Sequence, residues 1–421
     1  MKIKRTIIKE VTEWLDNNKI LILKGARQVG KTTILEYLQS SLIKQGKKTK
    51  YFSLDYELGN PIFDNSKLFV QFIEEQYGDD FIYIFLDEFQ YIKNAGIFIK
   101  TVYDRLKKNC RLIISGSSSL EITKNSEFLT GRKIDFKVNT LSYLEFSNYC
   151  SEYKLSQRFK INDYEQLINF NQIYKEELKR LFTTYINFGG YPEVTTTKSI
   201  HKKQRILREI VSTYIQKDVA GFLKVDNISG FNNLLKILTS QIGSLVNKNE
   251  LCNTLNIGHD TVRKYLDILS GTYVLNYISP YCTNVRKELS KMQKVYISDF
   301  GLHKIISNSA DCISYNEIPG EIIENFVYLE LIDQFIDVKF YRTISKSEID
   351  FIVKNQGTLI PFEVKFQNRV KNNKLPLAIK NFNSYYKNTG YSVIITKDYL
   401  ANNKITNCYF IPAYLFPFVI F

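Results

Sequence analysis

Long apolar runs, paired cysteines and clustered histidines are all missing from this 421-residue chain. Each absence removes a class of function. The longest apolar stretches are strand-sized, well short of the roughly 20 residues that cross a bilayer as a helix. The opening MKIKRTIIKEV is charged and amphipathic and lacks the apolar segment of a secretory signal. Both features lead us to expect a cytoplasmic protein without membrane partners. The six cysteines (Cys110, Cys150, Cys252, Cys282, Cys312 and Cys408) form no CxxC pair, so reduced thiols are expected rather than disulfides or metal ligands. Three histidines, His201, His259 and His303, are too far apart in sequence to suggest zinc. No helicase motif is recognisable.

The charge is one-sided, with 57 Lys and Arg against 43 Asp and Glu, a net +14. An excess of this kind favours an anionic partner, nucleic acid before membrane, although lysine-rich surfaces also serve solubility. At 44% hydrophobic residues the chain should fold, and its length calls for two to four domains.

The most informative stretch is GARQVGKTT, residues 25–33. Gly25, four residues, then Gly30, Lys31 and Thr32 is the spacing of a phosphate-binding loop. The apolar run 20–23 before it reads as a strand, and 34–38 after it as a helix with one apolar face. In that order, the backbone N–H groups of Gly25, Ala26, Arg27, Gln28, Val29, Gly30, Lys31, Thr32 and Thr33 would cradle phosphates at a helix N-terminus. Lys31 would reach the β- and γ-phosphates of ATP, and the Thr32 hydroxyl would ligate Mg²⁺. A second buried-strand run, 82–86, ends in Asp87 and Glu88. Asp87 would hold the Mg²⁺ through water, and Glu88 would polarise the attacking water. As an ordinary charged turn the pair would need no such partner sixty residues upstream.

Further strands at 50–55 and 111–117, alternating with helices at 69–75 and 97–106, predict right-handed βαβ units and a parallel sheet. Ligands bind beyond the carboxyl ends of such strands. The phosphate loop, Asp87-Glu88 and Ser115 to Ser118 all lie at such ends and should converge, and Ser117 would there either sense the γ-phosphate or cap the next helix. Arg132 precedes a strand at 134–138. It reads either as a surface ion pair or as an arginine finger, in cis or toward a neighbouring subunit.

GARQVGKTT, LDEFQYI, IISGSS, LTGRKIDFKVNTLSYLEF and FGGYPEV together resemble a group of prokaryotic AAA-type P-loop ATPases with a C-terminal domain of unknown function. The resemblance spans nearly the whole chain. It implies an AAA-type ATPase domain over 1–150, a helical lid and connection over 151–230, a winged-helix-like part over 231–300 and a nuclease-like end over 315–421. It also raises the arginine-finger reading of Arg132. It supplies no substrate.

The residues beyond the ATPase part carry their own signals. Apolar periodicity at 234–242, 248–255 and 260–269, with a turn at Asn256-Ile257-Gly258, predicts three helices. Strands at 273–278 and 294–297 follow, which is the order of a winged helix-turn-helix. Thr261, Arg263 and Lys264 would face the major groove, and 200–300 holds fourteen Lys and Arg against eight Asp and Glu. Such modules also serve protein contacts. Near the end, a helix at 321–331 carries Glu324, a strand at 348–353 carries Asp350, and a partner strand holds Glu363 and Lys365 two apart, on one face. This resembles the PD-(D/E)XK nuclease core. Glu324, Asp350 and Glu363 would bind Mg²⁺ or Mn²⁺, and Lys365 would act on the attacking water. The plain alternative is a β-hairpin with a structural Glu–Lys pair.

The expected fold class is α/β: a P-loop NTPase parallel sheet with a helical lid, a winged-helix-like middle and a PD-(D/E)XK-like α/β end. The expected function is a Mg²⁺-dependent ATPase that engages DNA and cleaves it where the nuclease-like site is active. The alternative is a nucleotide-dependent switch or assembly ATPase with a non-cleaving C-terminal module, working as a homo-oligomer or with a protein partner. A nucleotide kinase is disfavoured by the length beyond the P-loop and by Glu88 after Asp87.

Overall fold

In the computed structural model the described residues are 3–117, 130–223, 225–309, 311–367 and 374–421. The apolar runs become β1 (Ile20–Lys24), β2 (Lys48–Ser53), β3 (Ile82–Asp87), β4 (Cys110–Gly116) and β5 (Lys133–Lys137). They form one parallel sheet in the order β2-β3-β4-β1-β5. Strands buried on both faces are near-continuous apolar runs, and β1, β3 and β4 are buried throughout, with polar residues mostly toward their ends. Their side chains alternate between two cores. Leu21 and Leu23 pack with Ile34, Leu35 and Leu38 of the helix Lys31–Lys44. Ile20 and Ile22 pack with Phe69 and Phe98 of the helices Ser66–Tyr77 and Ala95–Leu106 on the other face.

Residues 228–297 form the helices Ile228–Ser240, Lys248–Leu255 and His259–Gly271, then the antiparallel pair β7 (Leu275–Ile278) and β8 (Lys294–Ile297). The short strand β6 (Phe159–Lys160) comes earlier. The turn between the second and third helices falls at Asn256-Ile257-Gly258, as expected. Asn256 takes the left-handed conformation (φ 53), and Gly258 is an extended N-cap (φ −68). Asparagine tolerates that region, so the glycine is not needed for it.

The C-terminal part holds β9 (Val338–Arg342), β10 (Glu348–Asn355), β11 (Thr358–Lys365), β12 (Ser392–Thr396), β13 (Ala401–Asn403) and β14 (Cys408–Pro412). They make a mixed sheet in the order β13-β14-β12-β11-β10-β9. The expected hairpin is β10–β11, closed by Gln356 and Gly357, both at positive φ as a two-residue hairpin turn requires.

The apolar chain end completes the packing beyond β14. Residues Ala413–Phe418 leave the sheet as a fully buried 3₁₀ turn, and β15 (Val419–Ile420) pairs in parallel with β6. Tyr143 is fully buried and packs edge-on against Phe182, Tyr185, Phe326 and Phe418. One apolar core therefore takes in residues from Ile3 to Val419.

Glu330 sits in this junction on the helix Gly320–Gln334, 5% exposed, where its Oε1 accepts the Tyr143 N–H at 3.2 Å. Burial, then Asp333, pushes its carboxyl up to about 8 against the pull of the Tyr143 N–H and Arg158. In the unfolded chain it titrates near the ordinary glutamate value of about 4.3. Between those values the folded state binds the extra proton, so stability is greatest below the unfolded value and falls as pH rises to about 8. Thermal melts of Glu330→Gln should lose this part of the slope between pH 5 and pH 8. An unchanged slope would assign the pH dependence to other groups.

Candidate functional site

The loop between β1 and the helix Lys31–Lys44 is shaped by two glycines. A Cβ on Gly25 would lie 2.1 Å from the Val138 carbonyl oxygen, and Gly30 has φ 95. Gln28 is also left-handed (φ 60). Lys31 is 4% exposed, and its Nζ donates to the carbonyls of Gly25 (3.0 Å) and Ala26 (2.7 Å). Burial brings its ammonium down to about 8, opposed by the charges of Glu88 and Asp87. Gln28, Gly30, Lys31, Thr32, Thr33 and Glu88 line a cavity of about 530 Å³. The Val29 side chain is buried, and its carbonyl accepts from Arg5 Nη1 at 2.8 Å.

Asp87 ends β3 and is 1% exposed. Tyr51 OH donates to its Oδ2 at 2.8 Å, and Ser115 Oγ donates to its Oδ1. Glu88 has φ 56, which turns the chain out of the strand, and its N–H donates to Asp87 Oδ1 (3.1 Å) and Ser115 Oγ (3.2 Å). Gln90 Nε2 donates to the Glu88 carboxylate, and Gln90 Oε1 accepts the Ser117 N–H at 3.2 Å. The Ser117 hydroxyl is buried and has no hydrogen-bond partner among the described residues. The helix it was expected to cap lies outside the described residues. Tyr51 and Gln90 were missed in the sequence, whereas Ser115 lies in the stretch 115–118 expected at this strand end. Ser115 sits at the same strand end as Ser117, but only the sheet register shows which of the two meets Asp87.

Two expected site residues are placed elsewhere. Arg27 Nε donates to Asp218 Oδ1 at 2.7 Å, and its side chain lines a separate small cavity beside Tyr191, Tyr214 and Thr272. Its backbone alone belongs to the phosphate loop. The carbonyl of Arg132 accepts from Ile20 N at 2.8 Å, and its guanidinium pairs with Asp104 at 3.1 Å. Ile20 opens β1 whereas the phosphate loop follows its other end, about 13 Å of strand away. Arg132 therefore cannot reach the loop of its own chain, and the reading in cis is corrected.

The far wall of the cavity comes from Pro192, Glu193 and Thr196 of the short helix Pro192–Thr196. This helix belongs to FGGYPEV, and Asp299 fixes its approach. Asp299 accepts from the N–H groups of Gly190 (2.7 Å) and Gly301 (2.8 Å). Burial pushes its carboxyl up to about 6, against the pull of those N–H groups. A Cβ on Gly189 (φ 71) would meet Asp299 Oδ1 at 2.1 Å, and one on Gly190 would meet the Leu141 carbonyl at 2.2 Å. Both glycines serve close approach.

A second cluster lies in the C-terminal part. Lys294 of β8, 2% exposed, donates to Glu324 Oε1 (3.0 Å) and pairs with Glu348 (2.5 Å). Tyr296 OH donates to the same Glu324 oxygen at 2.7 Å. Asp350 Oδ2 accepts the Val364 N–H at 2.7 Å, and Lys365 Nζ lies 2.6 Å from Glu363 Oε1. Burial, then the Asp350 charge, lifts Glu324 to about 7. Burial raises both Asp350 and Glu363, and for Asp350 the neighbouring Glu363 adds to it. Glu363 Oε2 is buried without a hydrogen-bond partner among the described residues. An orphaned carboxylate oxygen beside a second carboxylate fits a hard cation. Glu324 stands beside that pair, with its Oε1 taken by Lys294 and Tyr296. Among the described residues no group of three or more Asp, Glu, His or Cys side chains is gathered for a metal.

Comparison with known proteins divides the chain in three. Residues 17–147 match the family described as AAA domain, and 179–310 and 319–416 match two domains of unknown function (DUF8612 and DUF4143). An uncharacterized protein of Haemophilus influenzae is 23% identical over 374 residues, covering 86% of each chain. One of Methanocaldococcus jannaschii is 24% identical over 363 residues, covering 83% of this chain and 75% of its own. Among solved structures, the replication initiator DnaA bound to AMPPCP and single-stranded DNA is 16% identical with a TM-score of 0.28, covering 63% of this chain and 86% of its own. Domain III of the Thermotoga maritima replication initiation protein DnaA is 14% identical with a TM-score of 0.29, covering 48% of this chain and 90% of its own. TM-scores this low do not establish a shared fold. The family match and the five-stranded parallel sheet together make the N-terminal part an AAA-type, ATPase-like P-loop domain. No described helix is long and apolar enough to cross a membrane.

Proposed function

We propose that the chain is a Mg²⁺-dependent ATPase whose nucleotide cycle governs contact of its C-terminal parts with DNA. The observation that carries the first half is the meeting of Lys31, Thr32 and Glu88 on one cavity, with Asp87 behind Glu88 at the strand end. Lys31 holds the β- and γ-phosphates. The Thr32 hydroxyl and the Asp87 carboxylate are hard oxygen donors suited to Mg²⁺, which supplies charge neutralisation on the phosphates when bound. Tyr51 and Ser115 keep the Asp87 carboxylate in one orientation. Glu88 orients water toward the γ-phosphate, and the buried Ser117 hydroxyl is free to donate to it. Phosphate release by the purified protein, with and without Mg²⁺ and DNA, tests this directly. No release in any condition would sink it.

The DNA half rests on the helix His259–Gly271, where Arg263 and Lys264 are exposed beside the partly exposed Thr261. Arg263, Lys248 and Lys291 line a groove of about 520 Å³ between this helix and the β7–β8 connection. Lys264→Glu should weaken duplex binding severalfold and flatten the salt dependence by about one counterion. Fluorescence anisotropy over a salt series reads both. Unchanged affinity would favour a protein partner for this part.

Metal-dependent cleavage at Asp350 and Glu363 is the second reading, favoured by the orphaned Glu363 oxygen. Mg²⁺ or Mn²⁺ would be held by those two carboxylates, with Lys365 beside the scissile phosphate. Plasmid and linear DNA cleavage lost in both Asp350→Ala and Lys365→Ala would establish it. DNA-stimulated ATP hydrolysis without cleavage would leave a switch with a non-cleaving module.

A further inference from the structure

The ion pair between Arg27 and Asp218 joins the phosphate loop to a segment 191 residues further on. Asp218 is buried and Arg27 mostly so, at 6% and 16% exposure. Withdrawing two charges from water consumes most of their attraction, so such a pair adds little net stability and is better suited to fixing a register or a switch. Burial pushes the Asp218 carboxyl up while Arg27 pulls it back, and the charges of Lys31 and Glu88 are also felt there.

The backbone around Asp218 is unusual. The helix Ile200–Thr213 runs on into a π-helical segment, Tyr214–Phe222, and the Leu223 N–H donates to the Asp218 carbonyl at 2.9 Å, five residues back. π-Helical turns are rare, are frequent at functional sites and lie one residue of register from an α-helix. At its start, Tyr214 OH and Thr272 Oγ1 share a hydrogen bond of 2.9 Å, and Thr272 Oγ1 donates to the Ile268 carbonyl at 2.7 Å. Thr272 is the C-cap of the helix His259–Gly271. Two side-chain links and one π-helical segment thus connect the phosphate loop to the helix that carries Arg263 and Lys264.

We infer that Asp218 is a positioning residue for the phosphate loop, and that its π-helical segment transmits the loop's occupancy to the helix His259–Gly271. This rests on the reading of the loop as a nucleotide site. The drive comes from Lys31. Its Nζ holds the Ala26 carbonyl, the peptide that leads directly into Arg27. An amine drawn onto phosphate releases that carbonyl, and the peptide reorients next to the residue that grips Asp218. A one-residue change of register in the π-helical segment then moves Tyr214 against Thr272.

Hydrogen exchange on the full chain, with and without Mg²⁺ and a non-hydrolysable ATP analogue, reads this segment directly. In the wild type the analogue should change exchange over 214–227 by about fivefold or more, the lower end of ordinary coupling between sites. Asp218→Asn should still bind a fluorescent ATP analogue, though about fivefold more weakly, and at saturating analogue lose the exchange response; Asp218→Glu should restore both. Analogue binding without any response in the wild type, or a response kept in Asp218→Asn, would overturn the inference. Should Asp218→Asn melt far below the wild type, the wild-type response and Arg27→Lys decide in its place. A wild type that binds no analogue overturns the nucleotide reading itself, which separates that failure from this one.

Discussion

Lys31→Ala is expected to reduce ATP turnover at least about 100-fold, the loss that follows removal of one strong donor to a developing charge. The side chain is 4% exposed, and its amine sits on the Gly25 and Ala26 carbonyls at the mouth of the cavity. An ammonium so enclosed acts in a low dielectric, where its attraction for phosphate is far stronger than in water. Burial holds it near 8, so it is mostly charged at neutral pH, and bound phosphates shift it further toward the charged form. A fluorescent ATP analogue should also bind more weakly. Phosphate release at the wild-type rate would remove Lys31 from the site.

Glu88→Gln should separate binding from turnover. The amide keeps the size of the carboxylate and can still accept from Gln90, so the φ 56 corner and the cavity wall should survive. What it loses is the negative charge that orients and polarises water, and general-base losses of this kind are about 100-fold or more. The variant should retain ATP through a desalting column, while the wild type releases ADP and phosphate. Rapid quench of a single turnover measures the chemical step. A variant that turns over normally would show that Glu88 is a corner residue and nothing more.

Glycine spacing and buried-strand runs were sufficient to locate the P-loop, Asp87 and Glu88, because local geometry dictates them. A strand buried on both faces is a near-continuous apolar run, and a backbone wrapped around phosphate must contain residues free to take positive φ. The three helices before β7 and the β10–β11 hairpin were legible for the same reason. Ser115 was legible only as part of the stretch 115–118 at a strand end, and its contact with Asp87 emerges only once β3 and β4 are adjacent. Of the two readings of Arg132, the ion pair is the one seen, with Asp104, and the end of the sheet it occupies follows only once β5 is placed parallel to β1.

The sequence by itself determined a phosphate-loop α/β domain, a basic helical middle and a strand-rich acidic–basic end, through periodicity, turn chemistry and charge. Tertiary structure decided what these parts share. Asp218 reaches Arg27 across 191 residues, Lys294 of β8 pairs with Glu324, Asp299 holds Gly190, and Phe418 packs on Tyr143. None of these contacts follows from local pattern. Each depends on which buried charge or ring is closest once the chain has collapsed, a choice made by the packing of the whole core.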